Sequence, residues 1–142
     1  MRLCRANTLI ELVFTLALLG IALAVAVPNV RTIADRLSVR AATQDVVLAL
    51  WAARNVAAMR GENASFVVEA AAGRVRVLAG VDTVLTRDLA GRRGVRVSVT
   101  RDSIAYAPTG LGVGAANTTI VIARGRRADT ITTSRLGRVS VR

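Results

Sequence analysis

The stretch "RANTLIELVFTLALLGIALAVAVPNV", residues 5–30, decides how the rest of the chain is read. It sets a carboxylate, Glu11, at the entrance to residues 12–30, which carry no charge at all. As a helix rising about 1.5 Å per residue, that uncharged run covers roughly 28 Å, close to the hydrocarbon thickness of a bilayer. A charged side chain entering this medium costs about 2.5 to 3.5 kcal/mol on insertion scales, so Glu11 calls for a compensating role. The plainest one is to snorkel to the headgroups at the edge of the segment. A cleaved secretory signal is the competing reading, with Arg2 and Arg5 as its basic start and "AVA" at 24–26 as a small-x-small cleavage site. Such a signal has no use for an acid at its apolar entrance. Glu11 separates the two readings.

The chain has 142 residues, enough for a membrane segment and one small domain. All 20 basic residues are Arg, against 9 acidic ones. The excess sits late: residues 70–142 hold 13 Arg and 4 acids, whereas residues 31–69 hold 5 and 4. That field attracts polyanions, and it also serves solubility with no partner at all. The single cysteine, Cys4, cannot close an intrachain bridge, and the absence of His excludes Ser-His-Asp triads, Cys-His pairs and His-rich metal sites. The reading is therefore of a protein that is not an enzyme and calls for no cofactor or metal.

Beyond Pro28, residues 31–60 lack Pro and Gly and are rich in Ala, Leu and Arg, which favours helix, and Gly61 supplies a stop. Ile33, Leu37, Ala41, Leu48 and Trp51 recur near helical spacing, with Val47 and Leu50 widening the stripe. This predicts that the stripe is the buried face and Trp51 a core anchor. From Ala64 the period becomes two: "GRVRVLAG", "GVRVSVT" and "GRVSVR" place Val75 and Val77, Val95 and Val97, Val139 and Val141 inward and their Arg neighbours outward. Turn signals at 71–73, 90–94, 108–114 and 124–127 divide the region into about six to eight antiparallel strands. Pro108 fits the second position of a β-turn in "YAPTG".

"TLIEL" at 8–12, the apolar run and "AVPNV" together resemble the class III signal of type IV pilins and type II secretion pseudopilins. The resemblance implies a leader, residues 1–6, cut between Ala6 and Asn7 by a membrane prepilin peptidase that also methylates the new terminus. This chain has Ala6 and Asn7 where that family usually has Gly and Phe. Glu11 would become the fifth mature residue, pairing with the terminal amine of a neighbouring subunit. In low dielectric, such a partner is worth far more to a carboxylate than in water. Thr8, Leu9, Ile10, Leu12 and Pro28 complete the implied assembly segment, with Pro28 expected to loosen the helix by freeing the carbonyl of Ala24.

"YAPTG" at 106–110, "NTTIVIA" at 117–123 and the terminal "SRLGRVSVR" are similar to the GspH/FimT family. The fold implied is α+β: a long N-terminal helix, transmembrane in its first half and amphipathic in its second, packed on a small antiparallel β-sandwich. The divisions expected are 1–6 leader, 7–30 assembly helix, 31–62 amphipathic helix and 63–142 periplasmic β-domain. The function implied is that of a minor subunit in the bacterial inner membrane, with other pilins or pseudopilins, the peptidase and secreted cargo as partners. Some members of the family bind DNA during uptake. Here Arg92, Arg93, Arg124, Arg126 and Arg127, expected at loop tips, and Arg135, Arg138 and Arg142 near the terminus are the residues for that role. A solvated Arg-rich surface is the alternative. With four aromatic residues in the chain, base stacking would contribute little.

Overall fold

The computed structural model describes residues 8–114 and 116–142, the side chain of Pro28 excepted. Processing at Ala6 and Asn7, the leader and Cys4 lie outside the described residues. One helix, α1 (Leu9–Arg60), is followed by β1 (Ala64–Glu69), β2 (Arg74–Ala79), β3 (Asp82–Asp88), α2 (Leu89–Arg93), β4 (Arg96–Val99) and β5 (Ser103–Tyr106). The short β6 (Gly112–Val113) then leads to β7 (Thr118–Arg124), β8 (Arg127–Thr133) and β9 (Val139–Val141). The chain forms two compact units, divided after Ala34.

In the first unit, the carbonyl of Thr8 accepts from the amides of Glu11 and Leu12 and so starts α1. Glu11 lies in the first turn, where an acid is favoured by the helix dipole. The helix runs unbroken across position 28. Polar groups in the apolar run are satisfied by their own backbone: Thr15 donates to the Leu12 carbonyl at 2.8 Å and Asn29 to that of Val25 at 3.1 Å. An apolar window of mean hydropathy 2.6 makes this helix long and apolar enough to cross a membrane.

The second unit is built on residues 35–60 of α1. Five strands in the order β3-β2-β1-β5-β6 form one antiparallel sheet and four in the order β4-β7-β8-β9 form another. The chain visits the first sheet, crosses through α2 to β4, returns for β5 and β6, and finishes in the second. Alternation along the strands sends Phe66, Val68, Val75, Val77, Ile104 and Tyr106 from one sheet, and Val97, Ile120, Ile122 and Ile131 from the other, into a single core with the helix.

Of the expected helix face, Leu50 is fully buried and Val47 packs against the core, but the rest of the buried face is a different one. Val39, Ala42, Val46, Ala49, Ala53 and Ala57, three or four residues apart, are fully buried. Ile33, Leu37, Leu48 and Trp51 point to solvent, Leu37 and Leu48 at 62% exposure and Trp51 at 48%. At about 100° per residue, Leu37, Leu48 and Trp51 lie nearly opposite the Val46 and Ala53 line. The cause is steric: a helix serving the inner faces of two sheets must come close to both, and alanines permit that where a Trp would hold it away. The strand expectations hold for Val75, Val77, Val95 and Val97. Val139 is half-buried and Val141 is 48% exposed, because β9 is a three-residue edge strand.

The segment "AGRRG", expected as a turn, is the single-turn helix α2. Asp88 caps it by accepting from the Gly91 amide at 2.8 Å, and Gly94 closes it with a bond to the Ala90 carbonyl. "YAPTG" is a β-turn with Pro108 second, closed by the Gly110 amide on the Ala107 carbonyl at 2.8 Å. "SRLG" repeats the device, the Gly137 amide reaching the Ser134 carbonyl at 2.8 Å. Both glycines have positive φ, and the Arg54 guanidinium lies against both: a Cβ would sit 2.8 Å from its Nε at Gly110 and 3.2 Å from Nη1 at Gly137. Two turns from different sheets thus close over one helix side chain, which leaves no room for Cβ atoms. The Thr-rich strand is structural as well. Thr133 Oγ1 donates to the Ala116 carbonyl and accepts from the Thr118 amide, while Thr118 Oγ1 donates to the Arg101 carbonyl.

Ala53→Leu should lower the unfolding free energy of the detergent-solubilised full chain by about 1 to 3 kcal/mol through overpacking. Trp51→Ala, by contrast, should stay within about 0.5 kcal/mol; urea denaturation followed by circular dichroism reads both. Tyr106, the one tyrosine, has its hydroxyl pKa raised from 10.0 by burial, with Arg54 opposing. The unfolded chain releases this proton first, so stability should fall as pH rises above about 10, and Tyr106→Phe should remove that component. An absorbance titration of the single phenol checks it.

Candidate functional site

The arginines expected at loop tips divide into two kinds. Arg124, at the end of β7, is half-buried: its Nε is 2.9 Å from Asp35 Oδ1, and its Nη1 donates to Ser38 Oγ at 2.8 Å and to the Arg93 carbonyl. Arg93, at the end of α2, pairs with Asp45 at 3.5 Å. A third polar tie joins Thr43 Oγ1 to Asp129 Oδ2 at 3.1 Å. Asp35, Ser38, Thr43 and Asp45 all belong to α1, so these contacts hold the helix to α2 and the second sheet. Arg93 and Arg124 are therefore not the free loop cations the sequence suggested. The reason is that α1 supplies the carboxylates, and they lie about fifty and ninety residues away in sequence.

Arg92, Arg126, Arg127, Arg135, Arg138 and Arg142 are exposed, and among the described residues none has a carboxylate within ion-pair distance. They do not form one patch. Arg126 and Arg127 lie at the β7–β8 hairpin, near α2 through the Arg124 bond to Arg93. Arg135 and Arg138 lie beyond the other end of β8, a seven-residue strand of roughly 20 Å. Arg142 is held beside Thr130 by two backbone bonds.

Of the expected assembly residues, Thr8, Leu9, Ile10, Glu11 and Leu12 are all exposed at the start of α1. Sequence reasoning missed two features of the second unit. One is the solvent-facing apolar stripe of Leu37, Leu48 and Trp51, which was assigned to the core. The other is a groove of about 790 Å³ to which α1 contributes Arg36 and Arg40. Those two arginines read in sequence as ordinary helix-surface charge, and only the neighbouring strands make a wall of them.

A long N-terminal helix whose residues 35–60 cover two antiparallel sheets defines the pilin-like α+β fold. Two crystal forms of the type IV minor pilin FimU of Pseudomonas aeruginosa share it, with TM-scores of 0.63 and 0.60 at 14% identity. They cover 75% and 72% of this chain and 90% and 91% of their own. The minor pseudopilin EpsH from the Type 2 Secretion System of Vibrio cholerae matches with a TM-score of 0.57 at 10% identity, over 73% of this chain and 95% of its own. No family model and no curated protein matches the sequence. The likeness is thus one of fold, carried by packing rather than by shared residues.

Arg124→Gln should destabilise the full chain by about 1 to 2 kcal/mol, since an ion pair and two hydrogen bonds go together. Arg126→Gln should leave the denaturation midpoint unchanged within error. Thermal melts of the two variants in one detergent make the comparison.

Proposed function

We propose that the chain is a minor subunit of a type IV pilus or type II secretion pseudopilus. Residues 7–30 anchor it in the bacterial inner membrane, and the β-domain lies on the periplasmic side. The observation that carries the reading is that α1 is apolar where it has nothing to bury against. Its first unit is exposed and of membrane length, and its second unit turns Leu37, Leu48 and Trp51 outward from an already complete core. A helix apolar on two opposite faces needs a partner on the second one. Packing against the helices of neighbouring pilins supplies it, and the minor pilin and minor pseudopilin that share the fold support this choice. In this reading the peptidase removes residues 1–6, Glu11 meets the amine of an adjacent subunit, and the assembled helix is served by Thr8, Leu9, Ile10, Leu12 and Pro28. Secreted cargo follows only for a secretion filament.

A second reading is that the subunit also holds DNA. The unpaired Arg92, Arg126, Arg127, Arg135, Arg138 and Arg142 favour it, while Arg93 and Arg124 are already engaged. Phosphate contacts of this kind make a binding constant fall steeply with salt, by about one slope unit per contact.

Co-expression with a prepilin peptidase, followed by intact mass and N-terminal sequencing of the membrane fraction, tests the first reading. The expected product begins at Asn7 and carries one added methyl group. A soluble product beginning at Val27 overturns it. In the same cells Trp51→Ala should reduce recovery of the chain in sheared filaments while leaving its membrane level unchanged.

A further inference from the structure

The groove of the second unit lies where α1 passes the unfinished edge of the second sheet. β8 has seven residues and β9 three, and β9 pairs only with residues 131–133 of β8, extended by Arg142 beside Thr130. Val39, Val47 and Leu48 of α1 and Val141 of β9 supply the apolar walls, while Arg36 and Arg40 face it from the helix and Arg127 from the strand.

Charge in the groove is unbalanced. Among the described residues, none of Arg36, Arg40 and Arg127 forms an ion pair. The one acid in the lining, Asp129, already accepts from Thr43. An occupant that suits three free guanidiniums set among aliphatic side chains is anionic and apolar together.

The backbone narrows the class further. Thr130 and Arg142 exchange both of their bonds, which fixes the alternation along β9. Val141 lies between the bonded positions Ser140 and Arg142 and therefore turns its own N–H and C=O away from β8, toward the free edge. Val141 also lines the groove. Unpaired strand-edge groups beside an apolar trough are what an extended peptide uses, by adding backbone bonds and dropping alternate side chains into the trough. A lipid headgroup or a nucleic-acid phosphate uses the guanidiniums but has no need of that edge.

We propose that the groove between α1 and the β8–β9 edge is a docking site for an extended, acidic segment of a partner protein, one that alternates carboxylate and aliphatic side chains. Its carboxylates meet Arg36, Arg40 and Arg127, its aliphatic side chains pack on Val47 and Val141, and its backbone pairs with β9 at Val141. The inference does not depend on filament assembly through the outward stripe of α1.

The test uses the full chain in detergent and a fluorescein-labelled octapeptide of alternating Asp and Val, read by anisotropy. The groove variant Arg36→Gln/Arg40→Gln/Arg127→Gln should weaken binding by about tenfold or more. The control Arg92→Gln/Arg135→Gln/Arg138→Gln, which removes the same charge elsewhere, should change it by less than about twofold. An octapeptide N-methylated at alternate residues, with charge and side chains kept, should also bind about tenfold more weakly. Because this change is in the probe, it stands even where the triple variant is damaged. Equal weakening by both triple variants, no loss on N-methylation, or no binding of the octapeptide at all overturns the proposal. So does displacement of the peptide by phosphatidylglycerol vesicles or duplex DNA that themselves depend on Arg36, Arg40 and Arg127 as strongly, since the groove would then read phosphate.

Discussion

The close approach of one helix to two sheets is the constraint on which the second unit rests. Residues 35–60 of α1 face inner surfaces from both sheets, and the centre of the contact line is built of Val39, Val46 and four alanines, with Leu50 buried at its margin. Small side chains cost little conformational entropy and let backbones approach, so many short-range contacts replace a few large anchors. Bulk enters from the sheets instead, through Phe66, Tyr106, Ile120, Ile122 and Ile131. A large residue on the helix line would separate it from both sheets at once. Leu37, Leu48 and Trp51 are accordingly on its other side.

That division of labour leaves arginine with three different tasks in one small domain. Arg54 fills the space between two glycine turns and fastens the ends of both sheets over the helix. Arg124 and Arg93 tie α1 to the second sheet and α2 through Asp35, Ser38 and Asp45. Arg60 and Arg76 make further ion pairs, with Glu62 and Asp82 and with Glu69, while Arg126, Arg127, Arg135 and Arg138 at the ends of β8 and Arg36 and Arg40 along the groove stay in solvent. One residue type serves all three because the planar guanidinium can stack, bridge several acceptors or stand hydrated, and composition alone does not tell these apart.

The two surfaces left unfinished by the fold are of different chemistry. The outward stripe of α1 is apolar and convex, suited to another helix. The groove beside β9 is concave, basic and edged by open backbone groups, suited to an extended chain. A subunit that joins neighbours along its helix while receiving a strand at its sheet edge would have one contact for registration and another for partner choice.

Much of the architecture was legible in sequence because it rests on local regularities. The uncharged run with Glu11 at its entrance, the change from a period near 3.6 to a period of two after Ala64, and the turn chemistry of "YAPTG" are each set by residues close in the chain, and they carried the α+β class and the pilin-like resemblance. The face of the helix that is buried was not legible: hydropathy weights Leu and Trp above Ala, whereas contact with two sheets at once selects for small size. Nor was the division of the arginines, since the carboxylates that engage Arg93 and Arg124 lie far away along the chain. Local patterns thus determined which elements form. Only the tertiary structure decided which surfaces they use up and which they leave open, because burial and ion pairing are set by distance in space.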